Sequence, residues 1–199
     1  MRQLNYIESS ANPKLKQLKQ ILESRKHRKQ SECFVVESPK VIREILEKDP
    51  SSVRNLIYPE GAEGITVTKE SETVAETIET WVLKKGLFSE LSSVGTSQGM
   101  MALVKKPDWE KEKLLKSAKT ILLLDNIQDP SNLGAVLRNM KAFNMDLLLL
   151  SADSTDPFHP KSCRASAGAI LDIPVLSIQT DTLTDLSQEG AQFVIIKAE

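Results

Sequence analysis

Apolar and polar positions along the chain form two runs of alternating helix and strand, with a charged stretch between them. Leu15, Leu18, Ile21 and Leu22 recur at helical spacing, and Asn12-Pro13 ahead of them supplies a cap and a first-turn proline. The other side of this segment carries Lys14, Lys16, Lys19, Arg25, Lys26, Arg28 and Lys29 against Glu23. CFVVES (33–38) reads as a short strand, and Ser38-Pro39 opens a helix with Val41, Ile42, Ile45 and Leu46 inward. VRNLIYP (53–59) and GITVT (64–68) predict strands, 71–85 a helix, and GMMALVK (99–105) a closing strand. Residues 1–106 therefore predict an α/β domain.

Residues 105–119, KKPDWEKEKLLKSAK, are charged and contain Pro107; they predict a partly helical linker at 107–118. A second unit, 119–199, follows. TILLLDN is a continuous apolar run, as in strands covered on both faces. Residues 131–143 predict a helix with Leu133, Val136, Leu137, Met140 and Phe143 on one face. DLLLLS is the next strand, 160–170 a short helix, IPVLSI (173–178) a strand, 181–189 a helix and QFVIIK (192–197) a strand. This alternation predicts a parallel sheet with helices on both faces.

Composition adds bounds. The chain has 199 residues, 40% hydrophobic and 27% charged, with a net charge of −1. That mix is globular, and no global field draws it to nucleic acid or membrane, so any RNA surface must be a local patch. The apolar run at 147–150 is too short to span a bilayer, and the N-terminus lacks a signal-peptide core. Cys33 and Cys163 form no paired framework, which fits a reducing cytoplasm. Two Cys and two His scattered along the chain give no metal spacing.

In open α/β sheets ligands gather beyond the carboxyl ends of the strands. DNIQDPSNLG (125–134) occupies that place. Asp129-Pro130 stiffens the turn, Ser131 or Asn132 can cap the helix, and Gly134 lets another group approach the backbone. Arg138, off the Leu/Val stripe, can act with Asn132 on a phosphate or ribose. A well-capped turn without function has the same composition. No dinucleotide or P-loop fingerprint is present.

DNIQDPSNLGAVLRNMKAFN (125–144) resembles the first motif of the SpoU (TrmH-like) branch of the SPOUT RNA methyltransferases: a strand ending in Asp, a D-P-x-N-x-G turn, then a helix with Arg and an Ala-Phe end. Asn144 stands where the family usually has Gly, and Asn also tolerates a left-handed cap. DPFHPKSCRASAGAILDIPV (156–175), SSVGTSQGMMALVKKP (92–107) and FVVESPKVIREIL (34–46) are similar to further family segments, with Ser38 in place of a Gly.

The resemblance implies a ribosomal-protein-like α/β domain that binds RNA, followed by a knotted parallel α/β SPOUT domain. It implies S-adenosylmethionine as cofactor, rRNA or tRNA as substrate, methylation of a ribose 2′-hydroxyl, and a homodimer. Arg138 and Asn132 match its catalytic positions. Lys26, Arg28, Lys29, Lys161 and Arg164 are the expected RNA contacts, whose plain alternative is solvated helix charge. Glu37, His159 and Cys163 read as structural, and Trp81 and Trp109 as core and linker anchors. The family's second motif (G-N-E-G) and third (I-P-M, S-L-N-V) do not occur in these residues. The expectation is thus a fragment or shortened gene product, lacking the final knot segment and with an incomplete cofactor pocket. The competing expectation is an RNA-binding protein without catalysis.

Overall fold

The computed structural model describes residues 4–62, 77–92 and 99–179. A five-stranded sheet has the order β1-β4-β3-β5-β2, from β1 (Leu4–Ile7), β2 (Cys33–Val36), β3 (Val53–Pro59), β4 (Glu79–Leu83) and β5 (Met101–Lys105). β4 pairs parallel with β1 and β3, whereas β5 runs antiparallel to β3 and β2. The predicted strand at 64–68 and most of the predicted helix at 71–85 lie outside the described residues. The end of that helix is a correction, because Glu79–Leu83 is strand. Thr80, Trp81 and Val82 are β-branched or aromatic and buried, and between two partner strands that preference prevails. β1 was not anticipated.

The N-terminal helix is two helices. α1 (Pro13–Glu23) begins as predicted, Asn12 accepting from the Lys14 backbone N–H at 2.9 Å, and it buries Leu15, Leu18 and Ile21. Ser24 then adopts an extended conformation and caps α2 (Arg25–Ser31). Serine competes well for such backbone donors outside a helix interior. The break re-aims the basic residues downstream. α3 (Pro39–Lys48) buries Val41, Ile42, Ile45 and Leu46 as expected, with Ser38 as cap. α4 (Lys85–Leu91) follows β4.

A second, three-stranded sheet is wholly parallel in the order β6-β7-β8, from β6 (Ile121–Leu124), β7 (Leu147–Ser151) and β8 (Val175–Ile178). α5 (Lys111–Ser117) forms within the charged stretch. Leu114 and Leu115, with Trp109, pack beneath Leu147, Leu149, Leu176 and Ile178. α6 (Pro130–Ala142) covers the opposite face through Leu133, Leu137 and Met140. Helices thus lie on both faces, as predicted. α7 (Pro160–Ala165) is shorter than expected because Ala167 and Gly168 take positive φ, and a 3-10 turn at Ala169–Leu171 follows. The predicted helix at 181–189 and strand at 192–197 lie outside the described residues.

The two sheets share one core. Phe34, Val36, Val41, Ile42 and Leu56 cluster with Leu133, Leu137, Leu148, Cys163 and Ile170. α7 lies against β2, the edge strand of the first sheet, and so covers backbone that would otherwise be open to pairing.

Candidate RNA methyltransferase site

The turn after β6 is held by its neighbour. Asn126 takes a left-handed conformation with φ 51°. Its backbone N–H donates to Ser151 Oγ at 2.8 Å. Gln128 Nε2 donates to Asn126 Oδ1 at 2.6 Å and to the Asp153 carbonyl at 2.9 Å. The Thr155 N–H donates to the Ile127 carbonyl at 2.8 Å. The loops after β6 and β7 are therefore zipped together at the carboxyl edge of the parallel sheet.

α6 starts one residue earlier than predicted. The cap is Asp129, whose carboxylate accepts from the Ser131 N–H at 2.6 Å, not Ser131 or Asn132. Proline at the first helical position makes the residue before it the cap. Gly134 faces α7: a Cβ there would lie 2.4 Å from the Ser162 carbonyl oxygen and 2.6 Å from Ala165 Cβ. The glycine thus serves helix packing, and no side chain fits at that position. At the far end Asn144 takes φ 52°, the left-handed conformation expected of it. Phe143, predicted inward, is 78% exposed because it lies past the last turn.

Asn132 and Arg138 are both exposed on α6. Six residues of helix separate them by about 9 Å along the axis and roughly 120° around it, and no hydrogen bond joins them. Arg138 makes no ion pair or side-chain hydrogen bond among the described residues. Other arginines are committed. Arg28 is a correction to the expected RNA contacts: its side chain is 2% exposed, and its Nε donates to Asp156 Oδ2 at 2.7 Å, on a carboxylate 9% exposed. Its Nη1 donates to the carbonyls of Ile21 (2.7 Å) and Leu22 (2.9 Å), the last turn of α1. Arg25 donates to the Ser154 carbonyl at 3.1 Å. Arg164 pairs with Glu37 at 3.4 Å, across the seam between the sheets. Lys26, Lys29 and Lys161 are exposed and form no ion pair among the described residues.

Aromatic and ionisable side chains also meet at the seam. Phe158 meets Phe34 with ring centroids 4.9 Å apart, and Lys106 Nζ lies 4.8 Å from the Phe158 centroid. Burial lowers the Lys106 pKa below the usual lysine value, and the Asp156 charge opposes that shift. His159 Nδ1 accepts from the Lys161 backbone N–H at 3.2 Å and so caps α7. Burial, then the Arg28 charge, lowers its pKa below the ordinary histidine value. Burial pushes the Cys163 thiol far up, consistent with an inert core residue.

Two cavities, of about 490 and 240 Å³, open along the seam between the sheets. Glu44, Lys48, Lys106 and Trp109 are among the residues lining the larger. The described loops after β6 and β7 are hydrogen-bonded to one another at the carboxyl edge of the sheet. No His, Cys, Asp and Glu cluster suited to a metal occurs among the described residues, and no described helix is long and apolar enough to cross a membrane.

Asp156, Arg25 and Gln128 were missed in the sequence. Asp156 opens the segment 156–175, but its burial depends on a partner 128 residues away.

Residues 12–102 match the MRM3-like substrate binding domain, and residues 119–199 match the SpoU rRNA Methylase family. These matches define the class, an RNA methyltransferase with a substrate-binding domain ahead of its methylase domain. Through residues 119–199 the chain belongs to the SpoU rRNA Methylase family. It is 29% identical over 190 residues to the 23S rRNA (guanosine(2553)-2′-O)-methyltransferase RlmP of Bacillus subtilis, covering 95% of this chain and 72% of that protein. The crystal structure of an rRNA methyltransferase from Sinorhizobium meliloti superposes with a TM-score of 0.76 at 22% identity, over 94% of this chain and 70% of that one. A putative TrmH-family RNA methyltransferase from Porphyromonas gingivalis superposes at 0.70 with 28% identity, over 92% and 69%.

Proposed function

We propose that the protein works in S-adenosylmethionine-dependent 2′-O-methylation of a ribose in rRNA. In this reading residues 1–106 bind substrate, 107–118 link, and 119–199 contribute the methylase site. The observation that carries it is Arg138, exposed on the helix that leaves the strand-end turn and without a protein partner among the described residues, while Arg25, Arg28 and Arg164 are committed to the seam. An unengaged guanidinium on the helix that leaves a strand-end turn is suited to a phosphate or to a developing alkoxide.

S-adenosylmethionine supplies an electrophilic methyl on a sulfonium. The protein must hold the ribose oxygen in line and stabilise it as its proton leaves. Arg138 is the candidate for that stabilisation or for a bidentate hold on the neighbouring phosphate. It is a poor base, because guanidinium titrates above about 12. Asn132, in the first turn of α6, is the candidate for the ribose. Lys26, Lys29 and Lys161 are the candidate backbone contacts, which position RNA without reading its sequence. Cytoplasmic localisation and a homodimer belong to the same reading, and the exposed Phe143 at the end of α6 supports a second copy packing there.

The test is methyl transfer from S-adenosylmethionine to ribosomal RNA by the 199-residue chain, followed by alkaline hydrolysis. A 2′-O-methyl blocks cleavage at its own phosphodiester, so the expected result is one gap in the ladder. Methyl on a base, with no gap, would overturn the ribose assignment. RNA binding without any transfer would favour the second reading, a non-catalytic RNA-binding protein, for which the mutually hydrogen-bonded strand-end loops speak.

A further inference from the structure

We infer that Arg28 and Asp156 are a positioning pair, fastening the RNA-docking helix α2 to the loop that braces the catalytic turn. The inference rests on the methyltransferase reading above. α2 has two faces of opposite use. Arg28 is buried and donates to Asp156, and Arg25, three residues before it and so its neighbour on the helix, is exposed but reaches the Ser154 carbonyl. Lys26 and Lys29, also three apart, turn outward and are exposed.

The inward contacts land on the loop after β7. That same loop holds the turn after β6 through Ser151 to Asn126, Asp153 to Gln128 and Thr155 to Ile127. Asp129, which caps the helix bearing Asn132 and Arg138, follows at once. A path of hydrogen bonds and short backbone links therefore runs from the docking helix to the catalytic helix. α2 has only seven residues and buries no large apolar side chain, so hydrophobic burial does not fix it. The directional bonds of Arg28 do: one to Asp156 and two to the end of α1. RNA seated on Lys26 and Lys29 would then stand at a set reach from Arg138. The shared apolar core holds the two sheets together independently of this pair.

Spin labels at Gln30→Cys and Asn139→Cys, both exposed positions, report the reach by pulsed electron resonance; Cys33 and Cys163 are buried and label poorly. The expected result is one narrow distance in the parent chain and a broadened distribution in Asp156→Asn, with the sheet signal in circular dichroism unchanged. A distribution as narrow in Asp156→Asn as in the parent overturns the inference. Should Asp156→Asn leave no folded protein, Arg25→Ala and Arg28→Lys carry the same expectation, since each loosens the same loop without removing a buried carboxylate. Rescue by Asp156→Glu is expected to restore the single distance. In the presence of RNA, Asp156→Asn should keep its affinity while methyl transfer falls by roughly 100-fold, the scale of an ångström-sized misplacement. A parent chain that binds no RNA would defeat the proposed function and leave the distance result standing.

Discussion

Asp156→Ala is expected to destabilise the fold by about 3–5 kcal/mol, because it leaves a buried guanidinium without its counter-charge. The Arg28 side chain is 2% exposed and its carboxylate partner 9%. Two carbonyls of α1 would still accept from Arg28 Nη1, but dipoles offset only part of a desolvated charge. Lys106 stands near both groups and is already pushed below its ordinary pKa by burial, so losing Asp156 also adds repulsion between two cations. For a chain of this size the midpoint of thermal unfolding should fall by roughly 6–20 °C. Thermal melts followed by circular dichroism would measure it. The double variant Arg28→Met/Asp156→Leu should recover most of the loss, since apolar side chains of similar volume often replace a buried pair at little cost. A loss below about 1 kcal/mol for Asp156→Ala would show that water reaches the pair.

Arg138→Ala is expected to slow methyl transfer by about 10²–10³-fold, the usual effect of deleting one donor aimed at developing negative charge. Stability should move by no more than about 0.5 kcal/mol, because the side chain is exposed and makes no bond among the described residues. That contrast separates it from the seam arginines, whose loss should appear first in the melt. Arg138→Lys keeps the charge but not the planar fork, so partial activity points to charge stabilisation and none to a bidentate hold. Single-turnover rates at saturating RNA give the measurement. Unchanged rates would remove Arg138 from the site.

Much of the fold was legible in the sequence. Asn12-Pro13 and Ser38-Pro39 stand at helix starts as read, because a proline in the first turn needs no backbone donor; Asp129-Pro130 does the same where a turn with Ser131 or Asn132 as cap is the reading of the sequence. The leucine runs at 121–124 and 147–150 are parallel strands. The errors have local causes. The apolar residues of Glu79–Leu83 fit a helical or a strand period, and only the two strands beside it decide. The basic stretch before Cys33 looked like one helix with a solvated face. The extended Ser24 cap divides it and turns Arg28 into the seam. At the site, the strand-end turn and its arginine were readable as a motif. The zipper between the loops after β6 and β7 was not, since it joins side chains to backbone some 25 residues away.

The division of the α2 cations into an outward docking pair and an inward clamp is tested most directly by the salt dependence of RNA affinity. Lys26→Ala/Lys29→Ala should lower the slope of log K against log salt by about 1.5, the release expected from two lost phosphate contacts. Arg28→Met/Asp156→Leu should leave the slope unchanged, because that pair already neutralises itself inside the fold. A slope that falls for the Arg28 variant and holds for the lysine variant would contradict the account.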